Sequence, residues 1–213
     1  KIYFLSLNKT FNLNFYLSLL LTSICLVLLV NALNMADGIN GLAVGISLIW
    51  IISYILIFDI ENKVIIILLC LILIFNFFYI YKGSYFLGNS GSLFLSSFIG
   101  LIFISEYNKM ITEQLISVEI IVLIFLIPGL DMMRLFIFRL LNKKNPFEGD
   151  NDHLHHFFLK KFGLNKALVI YFVMLIIPSL LGIFINVLTS LVTSVIAYTA
   201  IIILLKIKSF FNN

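Results

Sequence analysis

Charge is scarce in this chain: Asp, Glu, Lys and Arg make up 11% of its 213 residues, against roughly 25% in ordinary soluble domains. That shortage, with 62% apolar residues and a mean hydropathy of +1.15, excludes a soluble globular core with a solvated surface. Cysteine is nearly missing. Cys25 and Cys70 stand alone inside apolar runs, without the spacing of a metal site, and read as small hydrophobes. There is no internal repeat, no low-complexity linker and no separate soluble stretch. The net charge of +4 does not indicate nucleic acid, because the positive residues are distributed by membrane side.

What is present is a series of apolar runs long enough to cross a ~30 Å hydrocarbon layer as helices. Seven are predicted, at about 13–31, 42–58, 64–81, 92–105, 117–141, 167–185 and 188–207. The fourth is short, and the fifth contains Pro128 and Asp131, which predicts a kink or break. The fold class is therefore all-α, a polytopic membrane protein forming one transmembrane unit over residues 1–213. With the N-terminus outside, Lys1, Lys9, Lys63 and Lys109 are external. The other ten basic residues, Lys82, Arg134, Arg139, Lys143, Lys144, Lys160, Lys161, Lys166, Lys206 and Lys208, are then cytoplasmic. Most of that bias comes from a predicted cytoplasmic loop at about 142–166. FDIENK and SEYNKMITEQ read as ordinary solvated external loops.

In this orientation three polar segments meet at the cytoplasmic face. In NALNMADGINGL, Asn31 and Asn34 are three apart on one helix face, and Asp37-Gly38 and Asn40-Gly41 are turn-forming pairs that end the helix. Such carboxamides and a carboxylate suit a polar ligand, although a helix C-cap with a turn accounts for part of the pattern. GNSGS places Ser90 and Asn89 before an apolar helix, either as a phosphate cradle of backbone N–H and hydroxyl groups or as a plain N-cap at Ser90 or Ser92. In the third segment Asp131 and Arg134 are spaced for an internal ion pair. All three histidines of the chain, His153, His155 and His156, then fall within four positions in NDHLHH. With Asp150 or Asp152 they include metal-ligand types, but the flanking Lys143, Lys144, Lys160 and Lys161 favour phosphate binding.

NALNMADGINGLAVG, FLGNSGSLFL and the run from IPGLDMMR to NPFEGDNDHLHHFFLKKFG, in this order, resemble the polyprenyl-phosphate N-acetylhexosamine-1-phosphate transferase superfamily. The likeness covers about residues 13–185 and is closer to the undecaprenyl-phosphate GlcNAc-type enzymes than to the phospho-N-acetylmuramoyl-pentapeptide type. The resemblance implies a phosphotransferase of glycosyltransferase family 4 in the bacterial inner membrane. It would take a UDP-N-acetylhexosamine and a polyprenyl phosphate, use Mg²⁺ or Mn²⁺, and act in cell-wall or surface polysaccharide synthesis. A homodimer is compatible with it. Carried onto this sequence, it places Asn34, Asp37 and Asn40 near the nucleotide and Phe86 against uracil. It puts Asn89 and Asp37 at the metal and His153, His155 and His156 at the nucleotide-sugar phosphates, with Asp37 and the three histidines as catalytic residues and Asn31, Gly38, Ser90, Asp131 and Arg134 among the substrate-binding ones.

This sequence departs from that pattern. Asn89 stands where an Asp is usual; its amide oxygen can ligate Mg²⁺ but carries no charge. Asn40 also stands where Asp is common. The family's Asp-Asp pair occurs nowhere in the chain, which begins with Lys1 rather than Met. The expectation is an N-terminally truncated sequence lacking about four helices, inactive by itself. Two rival readings fit the same residues. One is a non-catalytic nucleotide-sugar-binding scaffold, kept alive by Asn89. The other is a transporter, disfavoured because polar groups lie at one face and not in two related halves.

Overall fold

The computed structural model describes residues 1–58, 63–84, 87–111, 116–145 and 152–211, with the side chains of 63 and 206–211 excepted. Among these described residues a two-stranded hairpin, β1 (Ile2–Phe4) and β2 (Lys9–Phe11), precedes eight helices. These are α1 (Phe15–Ala36), α2 (Leu42–Ile57), α3 (Lys63–Tyr81), α4 (Gly88–Met110), α5 (Val118–Leu141), α6 (Leu154–Phe162), α7 (Leu164–Phe184) and α8 (Val187–Phe211). Six of them are long and apolar enough to cross a membrane, and α2 is a shorter apolar helix of 16 residues. The chain is an all-α polytopic membrane protein apart from its hairpin, and the seven predicted runs all become helices.

Local sequence sets the helix ends. Asn14 caps α1, its side chain accepting from Leu17 N–H at 2.8 Å. Asp37 closes the same helix, and Gly41, at φ +83°, turns the chain into α2. Helices α1 and α4 pack closely, as do α2 with α3 and α7, and α7 with α5, α6 and α8. Small residues permit these approaches. A Cβ on Gly100 of α4 would lie 2.6 Å from Leu26 Cδ2 of α1, and one on Gly45 of α2 would overlap the Phe172 ring of α7. The buried core includes Leu33, Trp50, Ile99, Phe103, Leu135 and Tyr171, while the outer faces of the long helices are apolar and exposed, as lipid contact requires.

Several boundaries differ from the sequence expectation. The fourth helix is not short: α4 begins at Gly88 and continues through Glu106 to Met110. SEYNKM is therefore helix rather than solvated loop, with Lys109 paired to Glu106 at 2.6 Å across one turn. The 142–166 segment carries α6, whose Leu154, His155 and Phe158 are buried while Lys160 and Lys161 are exposed. The N-terminal hairpin was not anticipated. Its turn is held by Glu119, which accepts from Leu5 N–H, Ser6 N–H and the Ser6 hydroxyl at 3.1, 3.0 and 2.8 Å. Tyr3 N–H adds a bond to Tyr107 Oη at 3.0 Å.

Pro128 does not break α5, which runs uninterrupted from Val118 to Leu141. A proline has no N–H, so the carbonyl four residues earlier, that of Ile124, loses its helical donor. Trp50, the only tryptophan of the chain, supplies the replacement: its indole Nε1–H donates to Ile124 O at 3.1 Å from a fully buried position. Trp50→Phe keeps an aromatic ring but leaves that carbonyl unpartnered in an apolar interior. It should destabilise the fold by about 1–3 kcal/mol, read from thermal unfolding in detergent by circular dichroism. An unchanged melting temperature would show that the carbonyl finds another donor.

Candidate active site

The turn between α1 and α2, the start of α4, the C-terminal half of α5 and α6 meet at one end of the bundle. Each junction is a defined contact. Asn34, in the last turns of α1, donates from Nδ2 to Ser92 Oγ at 2.9 Å and, more weakly, to Asn89 Oδ1 at 3.4 Å. The Asp37 carboxylate accepts from the Gly88 backbone N–H, placing a negative charge on the N-terminus of α4. Gly38 lies against α6: a Cβ there would sit 3.2 Å from His156 Nε2 and 3.4 Å from His155 Nε2. Asn40 lies beside Gly83 in the α3–α4 connection. The three polar segments read from the sequence therefore do converge.

Some expectations change in detail. Asn31 turns away, its amide donating to Val27 O of its own helix at 2.8 Å from an exposed position. Neither Ser90 nor Ser92 caps α4, because the helix already starts at Gly88; Ser92 is fully buried against Asn34, and Ser90 is exposed. Phe86 and Asp150 lie outside the described residues.

The Asp131–Arg134 ion pair is present, at 2.8 Å, within a larger hub. Asp131 Oδ1 accepts from Arg134 Nη2 and from the Tyr198 hydroxyl of α8, at 2.8 and 2.9 Å. Oδ2 accepts from His153 Nδ1 at 2.9 Å and from Leu154 N–H at 3.0 Å, so Asp131 caps α6 from a neighbouring helix. A carboxylate with four donors acts through those donors and has little left for a ligand. An ionised carboxylate can only accept, so His153 carries a proton on Nδ1, directed at Asp131. Tyr198, 67 residues from Asp131, carried no local signal in the sequence.

His155 has only 3% of its surface exposed, and its Nε2 has no hydrogen-bond partner among the described residues. Burial, reinforced by His156 and His153 beside it, pushes the His155 imidazole down to about 3, so it is neutral at physiological pH. Beneath these rings a cavity of about 10 Å³ touches Asp131, His153, His155 and Tyr171. That is room for about one water molecule and not for a phosphate group. Phosphate would have to approach from the half-buried His156 and the exposed Lys160 and Lys161.

Asp131, His153 and His155 offer metal-ligand atoms within 4.8 Å of one another. They fit a shared cation poorly. The Asp131 oxygens are taken by protein donors, and the His153 and His155 rings stack almost parallel, 9° apart, so their lone pairs lie in two separate planes. The ligand atoms around Asp37 are of another kind: its own carboxylate and, next to the Gly88 N–H that it accepts from, the Asn89 amide oxygen. Hard oxygen ligands of this sort suit Mg²⁺.

Burial raises the Asp37 carboxyl from 3.8 to about 6, with the Gly88 N–H opposing. A raised acid favours its protonated form in the fold. The stability tied to that proton is complete below the unfolded value and is lost as pH rises through about 6. With divalent cations chelated, wild type should therefore lose stability relative to Asp37→Asn between about pH 4 and 6 and run parallel to it above. Melting curves across that window check this; a constant difference would mean an ordinary carboxyl.

Residues 1–107 match glycosyl transferase family 4. A probable undecaprenyl-phosphate N-acetylglucosaminyl 1-phosphate transferase of Bacillus subtilis is 34% identical over 161 residues, covering 72% of this chain and 44% of that protein. An undecaprenyl-phosphate alpha-N-acetylglucosaminyl 1-phosphate transferase of Thermotoga maritima is 33% identical over 154 residues, 72% of this chain and 47% of that one. A phospho-N-acetylmuramoyl-pentapeptide-transferase of Staphylococcus epidermidis is 30% identical over 162 residues, 74% and 48%. The chain thus spans about half the length of the curated relatives it matches. No solved structure matches it. By the match over residues 1–107, half of its length, the chain belongs to glycosyl transferase family 4.

Proposed function

We propose that the protein transfers an N-acetylated sugar 1-phosphate from a UDP-sugar to a polyprenyl phosphate, at the cytoplasmic face of a bacterial inner membrane. An oxygen of the lipid phosphate forms a bond to the sugar-bearing phosphorus, and the bond from that phosphorus to UMP breaks. The products are lipid-diphosphate-sugar and UMP. The observation that carries this reading is the meeting of Asp37-Gly38, the start of α4 and the histidine helix at the end of an apolar groove.

That groove, about 410 Å³, runs between α1, α4 and α5. Ala32 and Met132 line both it and the small cavity at Asp131 and His153. A prenyl chain lying in it would bring its phosphate to the polar end. The lysine-rich segments around α6 are at that same end, which supports the cytoplasmic orientation. His156, with Lys160 and Lys161 nearby, would supply donors to the diphosphate, and His153, held by Asp131, would offer Nε2 as an acceptor. Asp37 and Asn89 would hold Mg²⁺. Bound there, the ion supplies the positive charge that offsets repulsion between lipid phosphate and diphosphate. Asn34 keeps the Asn89 side of the site against α1.

Two measurements test this, in a form of the protein that also carries the Asp-Asp pair this sequence lacks. Asn89→Asp adds a carboxylate to a hard cation's shell, so the Mg²⁺ concentration for half-maximal transfer should fall. Superimposable titrations would remove Asn89 from the metal. Cys25 lines the groove and is exposed. In a Cys70→Ser background, a long-chain N-alkylmaleimide on Cys25 should block transfer, and added polyprenyl phosphate should protect against it. Full activity after complete labelling would take the lipid out of this groove.

A further inference from the structure

Tyr198 belongs to α8, far along the chain from every segment that the family likeness rests on, yet its side chain sits inside the Asp131 hub with 3% exposure. Its hydroxyl donates to Asp131 Oδ1 at 2.9 Å and accepts from Arg134 Nε–H at 3.0 Å. Arg134 Nη2 closes the ring on Asp131 Oδ1 at 2.8 Å and also donates to Asp152 O at 2.6 Å. The phenol thus locks one carboxylate oxygen and one guanidinium edge together. With Oδ1 occupied in this way, Oδ2 is left facing α6, where it takes His153 Nδ1–H and Leu154 N–H.

We propose that Tyr198 is a positioning residue for the nucleotide-sugar site. It fixes the rotamer of Asp131, so that His153 keeps its Nδ1–H tautomer and the N-terminus of α6 stays anchored with the histidines aimed at the diphosphate. The link to diphosphate rests on the function proposed above; the link to the histidine tautomer does not. Without the hydroxyl, Asp131 loses one of four donors and Arg134 Nε loses its acceptor. The carboxylate is then free to swing toward the guanidinium and away from His153. Tyr198 and His153 bond to the same carboxylate, Tyr198 at Oδ1 and His153 at Oδ2, so its effect on the histidine passes through Asp131.

The chain's three histidines all lie in this cluster, so ring-¹⁵N labelling of histidine reports on it alone. In the purified protein in detergent, Tyr198→Phe should move His153 off the Nδ1–H tautomer and raise the Kd for UDP about tenfold. Ser194→Ala, one turn away and bonded only within α8 to Ser190 O, should change neither. Adding Tyr198→Phe to Arg134→Lys should weaken UDP binding no further, because both act on one unit. Should Tyr198→Phe fail to fold, 3-fluorotyrosine at 198 keeps the ring and strengthens the O–H donor. It should shift the His153 Nδ1–H resonance; an unmoved resonance overturns the proposal. Unaltered ring signals and Kd in Tyr198→Phe overturn it as well. A tautomer shift in Tyr198→Phe beside a wild type that binds no UDP would sink the nucleotide reading while leaving the Asp131 link standing.

Discussion

The arrangement depends on one carboxylate that has to be kept charged among apolar helices. Removing an ion of that size from water costs several kcal/mol even after relaxation, and only good hydrogen bonds and a partner charge offset it. Asp131 meets that requirement with donors from three elements: Arg134 of α5, Leu154 N–H and His153 at the start of α6, and Tyr198 of α8. Deleting any single donor leaves the carboxylate one hydrogen bond short in an apolar interior, so the geometry is tightly defined. The consequence for function is indirect. Asp131 is used up by the protein, and what it delivers to a ligand is the orientation of its partners.

Helix α5 works as the spine because it carries one such anchor in its first turn and another just past its middle. Glu119 lies in its first turn and holds the hairpin turn through Leu5 and Ser6. Asp131 lies twelve residues on, about 18 Å along an ideal helix. Between them Pro128 removes one backbone bond, and Trp50 of α2 restores the lost donor to Ile124 O. A proline within a lipid-embedded helix is tolerated only if the freed carbonyl finds such a partner. Here the partner also ties α2 to α5 just before Asp131.

The seven spans and the meeting of three polar segments were legible because both follow from residue type along the chain. Hydropathy marks a helix that must satisfy its own backbone in lipid, and Asp-Gly and Asn-Gly mark where it ends. Helix α6 was not legible. Nine residues with Lys160 and Lys161 at one end give no membrane-length signal and look like loop. The end of α4 was misread because Glu106 and Lys109 suggest solvent, whereas three-residue spacing lets them pair on a helix. The contacts of Tyr198 with Asp131 and of Trp50 with Ile124 O span 67 and 74 positions. They depend on the rotation of packed helices, which no local pattern records. Asp131 and Arg134 could be read as a pair from their spacing; that the pair was the centre of a hub could not.

The two chemistries at the site's end are separated by a single residue. On one side of Gly38 stand the oxygens of Asp37 and Asn89, suited to a hard cation; on the other stand imidazoles, of which His155 is neutral and buried. The absence of a side chain at 38 lets His155 and His156 approach the backbone that carries Asp37. An added Cβ, 3.2 Å from His156 Nε2, would press the ring outward by a few tenths of an ångström. His153 cannot give way to absorb that shift, because Asp131 holds it. The strain would therefore fall on His156, the half-buried histidine of the cluster, and so on the group best placed to meet a phosphate.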